Sequence, residues 1–263
     1  MEGTVKTLDW WFSRPINKTP LVSFVINTHN MSRQVIEIVR KLRTYPDAEI
    51  IVVEDGSEFP HTDALVRELT GENEFLLRAN DLFEVLTCDR AFYFARGRYI
   101  AMLQDDDGFP STNTWIDQAM ALFEIHPKLA ILGGRYDIDI RFEEGKKGGS
   151  VVLPGESFRF VQSVVAAPMW LDRRVFLELG GFDDDFAPCM FSEAEICFRG
   201  WLAGYQVGWY PPLLESCAST TKQRRTKKRP ITNGFATINF EKLRVKFADE
   251  LAVIDEMVRR ANQ

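Results

Sequence analysis

Five short apolar runs, each separated from the next by a segment of helical periodicity, constrain the first half of this chain more than any other feature. Residues 21–26 (LVSFVI), 50–53 (IIVV), 75–77 (FLL), 99–103 (YIAML) and 129–132 (LAIL) have the length and composition of buried strands. Between them, Val35, Ile36, Val39 and Leu42 fall on one helical face, 62–69 and 82–95 read as helices, and Trp115, Ile116, Ala119, Met120 and Phe123 form another apolar stripe. Regular strand–helix alternation predicts an α/β fold with a mostly parallel sheet covered by helices on both faces. Ligands of such sheets bind beyond the carboxyl ends of the strands. The turns holding Thr28-His29-Asn30, Glu54-Asp55 and Asp105-Asp106-Asp107 all lie at such ends, so the pattern predicts one polar crevice.

The third turn carries the most chemistry. Three carboxylates in a row repel one another and raise one another's pKa unless a cation or water screens them. Asp105, Asp106 and Asp107 therefore point either to a bound divalent ion or to a solvated acidic turn. Oxygen donors suit Mg2+ or Mn2+, which take one or two protein carboxylates and fill the remaining positions with water and phosphate oxygens.

Past residue 134 the alternation falters. EEGKKGG suggests an exposed excursion or hairpin, 158–167 is apolar enough to re-enter the core, and 173–179 reads as a short helix closed by Gly180-Gly181. A second acidic turn, Phe182-Asp183-Asp184-Asp185-Phe186, precedes a helix opened by Ser192-Glu193-Ala194-Glu195. Glu193 has two readings at this stage: a carboxylate complementing the helix dipole, or a base facing the crevice. Residues 222–229 (KQRRTKKR) form a dense basic run that reads as a solvated loop or as cations closing over an anionic ligand. From Asn239 onward, Phe240, Leu243, Phe247, Leu251, Ile254 and Val258 predict one amphipathic helix. Packing on the body is its first reading, with self-association into a homo-oligomer or peripheral membrane contact second.

Composition narrows the class. A net charge of -6 argues against generalised binding to nucleic acid. No run approaches the roughly 18 to 20 apolar residues of a membrane span, and the amino terminus lacks a secretory pattern, so the expected location is cytoplasmic. The four cysteines form no C-x-x-C pair and read as reduced thiols.

Taken in order, VSFVINTHN, EIIVVEDGS, ARGRYIAMLQDDD, GGFDDDF and SEAEICFRGWLAGY resemble the ordered motifs of family 2, GT-A-fold glycosyltransferases. The resemblance runs from about residue 20 to 211, with Asn27 where proline is usual and Gln104 at the first acidic position of the commonest D-x-D pattern. It implies an inverting enzyme that moves a sugar from a nucleoside-diphosphate sugar to a carbohydrate or other hydroxyl-bearing acceptor. In its terms Asp105 and Asp107 hold Mn2+ or Mg2+, Glu193 is the base, and Thr28, Asn30, Asp55, Arg90 and Asp106 line the donor site. Lys222, Arg224 and Arg225 are expected to fold over the diphosphate, on charge density. The expected organisation is an arm (1–19), a GT-A domain (20–213, its nucleotide half 20–134 and acceptor half 135–213), and a basic loop with a C-terminal helix (214–263). The alternatives are a non-catalytic nucleotide-sugar binder on the same scaffold and a sugar-nucleotide pyrophosphorylase. The latter normally needs a glycine-rich loop after the first strand, where this chain has NTHNMSR.

Overall fold

The computed structural model describes residues 13–134, 136–143, 146–147, 155–166, 168–212, 215–216 and 232–263. Eight strands make the central sheet: β1 (Val22–Thr28), β2 (Ala48–Asp55), β3 (Glu74–Ala79), β4 (Tyr99–Gln104), β5 (Leu129–Gly133), β6 (Arg159–Phe160), β7 (Met169–Asp172) and β8 (Gln206–Trp209). Their order is β6-β8-β5-β7-β4-β1-β2-β3. Six strands point the same way, β7 is inserted antiparallel between β4 and β5, and β6 runs antiparallel at one edge. The expected mostly parallel sheet is thus present. The 158–167 re-entry divides into β6 and a ribbon in which Ser163–Val165 pairs with Tyr136–Ile138, while β7, just beyond it, takes the central place. The excursion is a hairpin, Ile140–Arg141 against Lys146–Lys147.

The helices are α1 (Ser32–Leu42), α2 (Phe59–Glu68), α3 (Phe83–Phe94), α4 (Thr114–Ile125), α5 (Arg173–Glu178), α6 (Ser192–Leu202), α7 (Thr232–Phe247) and α8 (Leu251–Ala261). β1 explains why both faces need cover, since its side chains alternate and are buried on both sides. Phe24 packs among Tyr45, Trp115 and Trp170 on one face. On the other, Asn27 donates to Thr87 Oγ1 of α3 (2.8 Å). The single amphipathic tail helix expected from the sequence is instead two helices, α7 and α8, broken by a turn at 248–250. Leu243 and Phe247 of α7 and Ile254 of α8 are all buried against the body, so both helices pack on it.

At the amino end of the sheet, Glu49 of β2 sits beside its cross-strand neighbour Ser23 with no exposed surface. Its carboxylate accepts from Ser23 Oγ (2.5 Å), Arg96 N (2.6 Å) and Arg96 Nε (2.8 Å), so the buried charge is paired and fully hydrogen-bonded. Gly97 follows because a Cβ there would lie 2.6 Å from Ser23 N, inside contact with a backbone atom that cannot yield. Glu49→Leu leaves Arg96 without its partner and is expected to lower the unfolding free energy by about 3 kcal/mol. Urea denaturation checks it: a lower midpoint with an unchanged slope is the expected result.

Candidate functional site

β1 pairs in parallel with both β2 and β4, so Thr28, Glu54 and Gln104 end side by side and their turns adjoin. The turns are also bonded to one another. His29 N donates to Asp105 Oδ2 (3.3 Å), and His29 Nδ1 lies 2.7 Å from the carbonyl of Asp55. A carbonyl only accepts, so Nδ1 is the protonated nitrogen, and Nε2 accepts from Asn30 Nδ2 (3.2 Å). Asn30, in the left-handed region at φ 60°, donates its N–H to Ser57 Oγ (2.9 Å) and accepts from Glu58 N (2.7 Å). Asparagine tolerates that backbone conformation better than other non-glycine residues. Thr28 is buried at the same strand end, and its Oγ1 has no hydrogen-bond partner.

Asp55 is wholly buried, with Oδ1 accepting from Leu82 N (2.8 Å) and Oδ2 from Phe83 N (2.9 Å). It thereby supplies from another strand the capping acceptor that Leu82 cannot, and places a negative charge at the positive end of α3. Asp105 is half-buried, whereas Asp106 and Asp107 are buried. Asp107 Oδ2 accepts from Gln104 N (3.3 Å), and the pair Asp107–Gly108 is zipped antiparallel to Glu215–Ser216. Among the described residues no three His, Cys, Asp or Glu side chains gather as a complete metal cage. An all-oxygen set of one or two carboxylates is nevertheless what a Mg2+-like ion takes when phosphate completes its shell.

Glu193 stands in the first turn of α6, half-buried, with Ser192 Oγ donating to its Oε2 (3.2 Å). Its neighbour Glu195 is buried and committed to Arg199 (2.6 Å) and Lys246 (2.7 Å), which leaves Glu193 as the carboxylate at the helix opening. The second acidic turn is structural. Asp183 accepts from Asp185 N and pairs with Lys246 (2.6 Å), while Phe182 N donates to Asp89 Oδ1 (2.9 Å). Burial pushes the Asp89 carboxyl above its usual range, opposed by the Phe182 N–H and by Arg90. Arg90 is largely exposed, bonded to Asp89 (2.6 Å) and near Asp184 (3.4 Å), so it ties α3 to the second acidic turn. Lys222, Arg224 and Arg225 lie outside the described residues. His29 was the residue most easily overlooked, because a turn histidine between Thr28 and Asn30 shows in sequence only as a turn former.

The sequence model of the family described as Glycosyl transferase family 2 matches residues 23–174, more than half of the chain. An uncharacterized protein, y4gI of Sinorhizobium fredii, is 26% identical over 222 residues; the match covers 75% of this chain and 24% of that protein. The chain thus spans about a quarter of the length of that relative. Among solved structures, GalNAc-T7 with UDP, GalNAc and Mn2+ superposes with a TM-score of 0.60 at 16% identity, covering 73% of this chain and 43% of that one. TarS 1-349 of S. aureus in complex with UDP gives 0.56 at 15% identity, covering 72% and 57%. These likenesses show a shared GT-A fold.

Asp55→Ala removes two acceptors from the head of α3 and is expected to destabilise the protein by about 1 to 2 kcal/mol. Asp55→Asn, which keeps one carbonyl acceptor, is expected to lose less. Thermal unfolding of the two variants checks the order.

Proposed function

Because this chain belongs to glycosyl transferase family 2, we propose that it transfers a sugar from a nucleoside-diphosphate donor to an acceptor hydroxyl with inversion at the anomeric carbon. The observation that carries this reading is the bonded junction of the β1, β2 and β4 turns, in which His29 ties Asp105 to the carbonyl of Asp55; Glu193, at the opening of α6, is the carboxylate proposed to face it. Thr28, Asn30 and Asp55 form the donor side, where Asp55 also holds the α3 head in place. Asp105 and Asp107 would hold Mn2+ or Mg2+, with Asp106 beside them, and the oxygen-only donor set fits such an ion. When bound, the metal would stabilise the charge that develops on the departing diphosphate.

Glu193 would take the acceptor hydroxyl's proton as that oxygen forms its bond to the anomeric carbon. The bond from that carbon to the diphosphate oxygen breaks on the opposite face, which inverts the centre. Such a base contributes roughly 10² to 10⁴ in rate. Glu193 lies beyond the residues matched by the family, so its role rests on the resemblance of the SEAEICFRGWLAGY segment and on its place in the first turn of α6. The basic run would join the donor side. Ser216 lies beside Asp107, and the six residues from there to Lys222 span at most about 20 Å when extended. Arg90, largely exposed beside Asp89 and Asp184, would reach the donor diphosphate. Residues 20–213 would work as one transfer domain.

Thermal shift with UDP, GDP and dTDP, each with and without Mn2+, tests the donor site. One nucleotide is expected to stabilise the wild type only with Mn2+, by about 2.7 kcal/mol at a hundredfold excess over Kd. Asp107→Asn is expected to abolish that increment, and neutralising Lys222, Arg224 and Arg225 together to weaken it and flatten its salt dependence. For chemistry, Glu193→Gln is expected to bind nucleotide as the wild type does while releasing nucleoside diphosphate from its sugar donor at least a hundredfold more slowly. Equal release would remove Glu193 as the base. A protein that binds nucleotide and Mn2+ but releases nothing would be a binder on the same scaffold.

A further inference from the structure

The loop that delivers Glu193 is held from behind by one side chain of the C-terminal tail. Asn239 of α7 has no exposed surface, and its Nδ2 donates to the carbonyls of Phe186 (2.8 Å), Cys189 (2.8 Å) and Met190 (3.2 Å). Two amide hydrogens thus serve three acceptors, one of them shared. The loop needs holding. Met190 (φ 78°) and Phe191 (φ 66°) are consecutive non-glycine residues in the left-handed region, a conformation that persists only where surroundings enforce it. Phe191 then caps α6 without a side-chain hydrogen bond, and Glu193 follows two residues later.

The rest of α7 braces the same segment. Phe240 packs edge-on against Phe191 (5.5 Å), Lys242 donates to the Asp185 carbonyl, and Lys246 bridges Asp183 (2.6 Å) and Glu195 (2.7 Å). Asn239 itself carries a cost that packing does not require. Its Oδ1 is buried with no hydrogen-bond partner, and turning the amide over would aim that oxygen at the loop carbonyls. An apolar residue would fill the same inward position of α7, one turn before Leu243, without an orphaned acceptor.

We infer that Asn239 is a positioning residue for transfer: its amide fixes the left-handed pair Met190-Phe191 and so sets where the Glu193 carboxylate stands in the crevice. The inference rests on the reading of Glu193 as base. It assigns to the tail a part in catalysis without contact with donor or acceptor.

The test compares Asn239→Ala, Asn239→Gln and Glu193→Gln in the full chain. Three quantities are read: UDP binding with Mn2+ by calorimetry, release of nucleoside diphosphate from UDP-, GDP- and dTDP-sugars with water as acceptor, and amide hydrogen exchange. Asn239→Ala is expected to lower kcat for release by ten- to a hundredfold with UDP affinity within threefold of wild type. Amides of 189–193 are expected to exchange at least tenfold faster, with those of β1, β2 and β4 unchanged. Asn239→Gln, which retains the two N–H groups, is expected to recover part of the rate. Unchanged kcat in Asn239→Ala, or kcat, affinity and β-strand protection falling together, overturns the inference. If Glu193→Gln turns over normally while Asn239→Ala does not, the base has been misassigned and the positioning of Glu193 falls with it. If Glu193→Gln alone is slow, the base stands and the clamp does not. Should the wild type release nothing from any donor, the transfer reading fails. Loop exchange unchanged in Asn239→Ala would then dismiss the clamp as well, and faster exchange confined to 189–193 would show that the amide holds the loop while its part in transfer falls with that reading.

Discussion

Parallel pairing of β1 with both β2 and β4 is the constraint on which the rest of this structure depends. Parallel neighbours end at the same edge, so three turns from distant parts of the chain must share one small space. That space is polar because strands this apolar can change direction only through residues that bond their own backbone or a neighbour's. His29 and Asn30 do this for β1, and Asp55 does it for β2 by accepting from the first amides of α3. The crevice is therefore built of residues that satisfy the fold's backbone groups first. Any ligand would meet side chains already oriented.

The two ends of the sheet handle charge differently. At the amino end, Glu49 is neutralised outright by Arg96 and buried. At the carboxyl end, a cluster of aspartates sits on a strand end, anchored by backbone N–H groups of His29 and Gln104. Backbone amides orient a carboxylate where it stands, so these side chains are set by the fold itself. The chain returns to this cluster at Glu215–Ser216, which pairs antiparallel with Asp107–Gly108.

The second half of the chain is assembled in another way. Here β7 runs against both its neighbours and β6 lies antiparallel at one edge, so the regular strand–helix repeat of the first half no longer positions the segments. Position comes from long-range side chains: Asp89 on Phe182, Arg199 on the carbonyls of Leu179 and Gly181, and Asn239 on the loop before α6. The segment leading into α6 is thus held by contacts that span up to 93 positions in the chain.

Much of the first half of the fold was legible from sequence because its signals are local. Apolar runs ending in turn formers, with helical periodicity between them, encode strand, turn and helix within a dozen residues, and the parallel order follows from chain connectivity. The aspartates announced themselves by repulsion, and the family resemblance by ordered motifs. Contacts between segments far apart in the chain were not legible. Nothing in EDGS shows that both oxygens of Asp55 go to α3, nothing in the tail's periodicity shows the break at 248–250, and Asn239 registered only as the polar start of an apolar stripe. A residue's intrinsic preferences decide which element it joins. Which buried amide meets which carbonyl depends on how the elements pack, and only the assembled tertiary structure decided that for Asp55, His29 and Asn239.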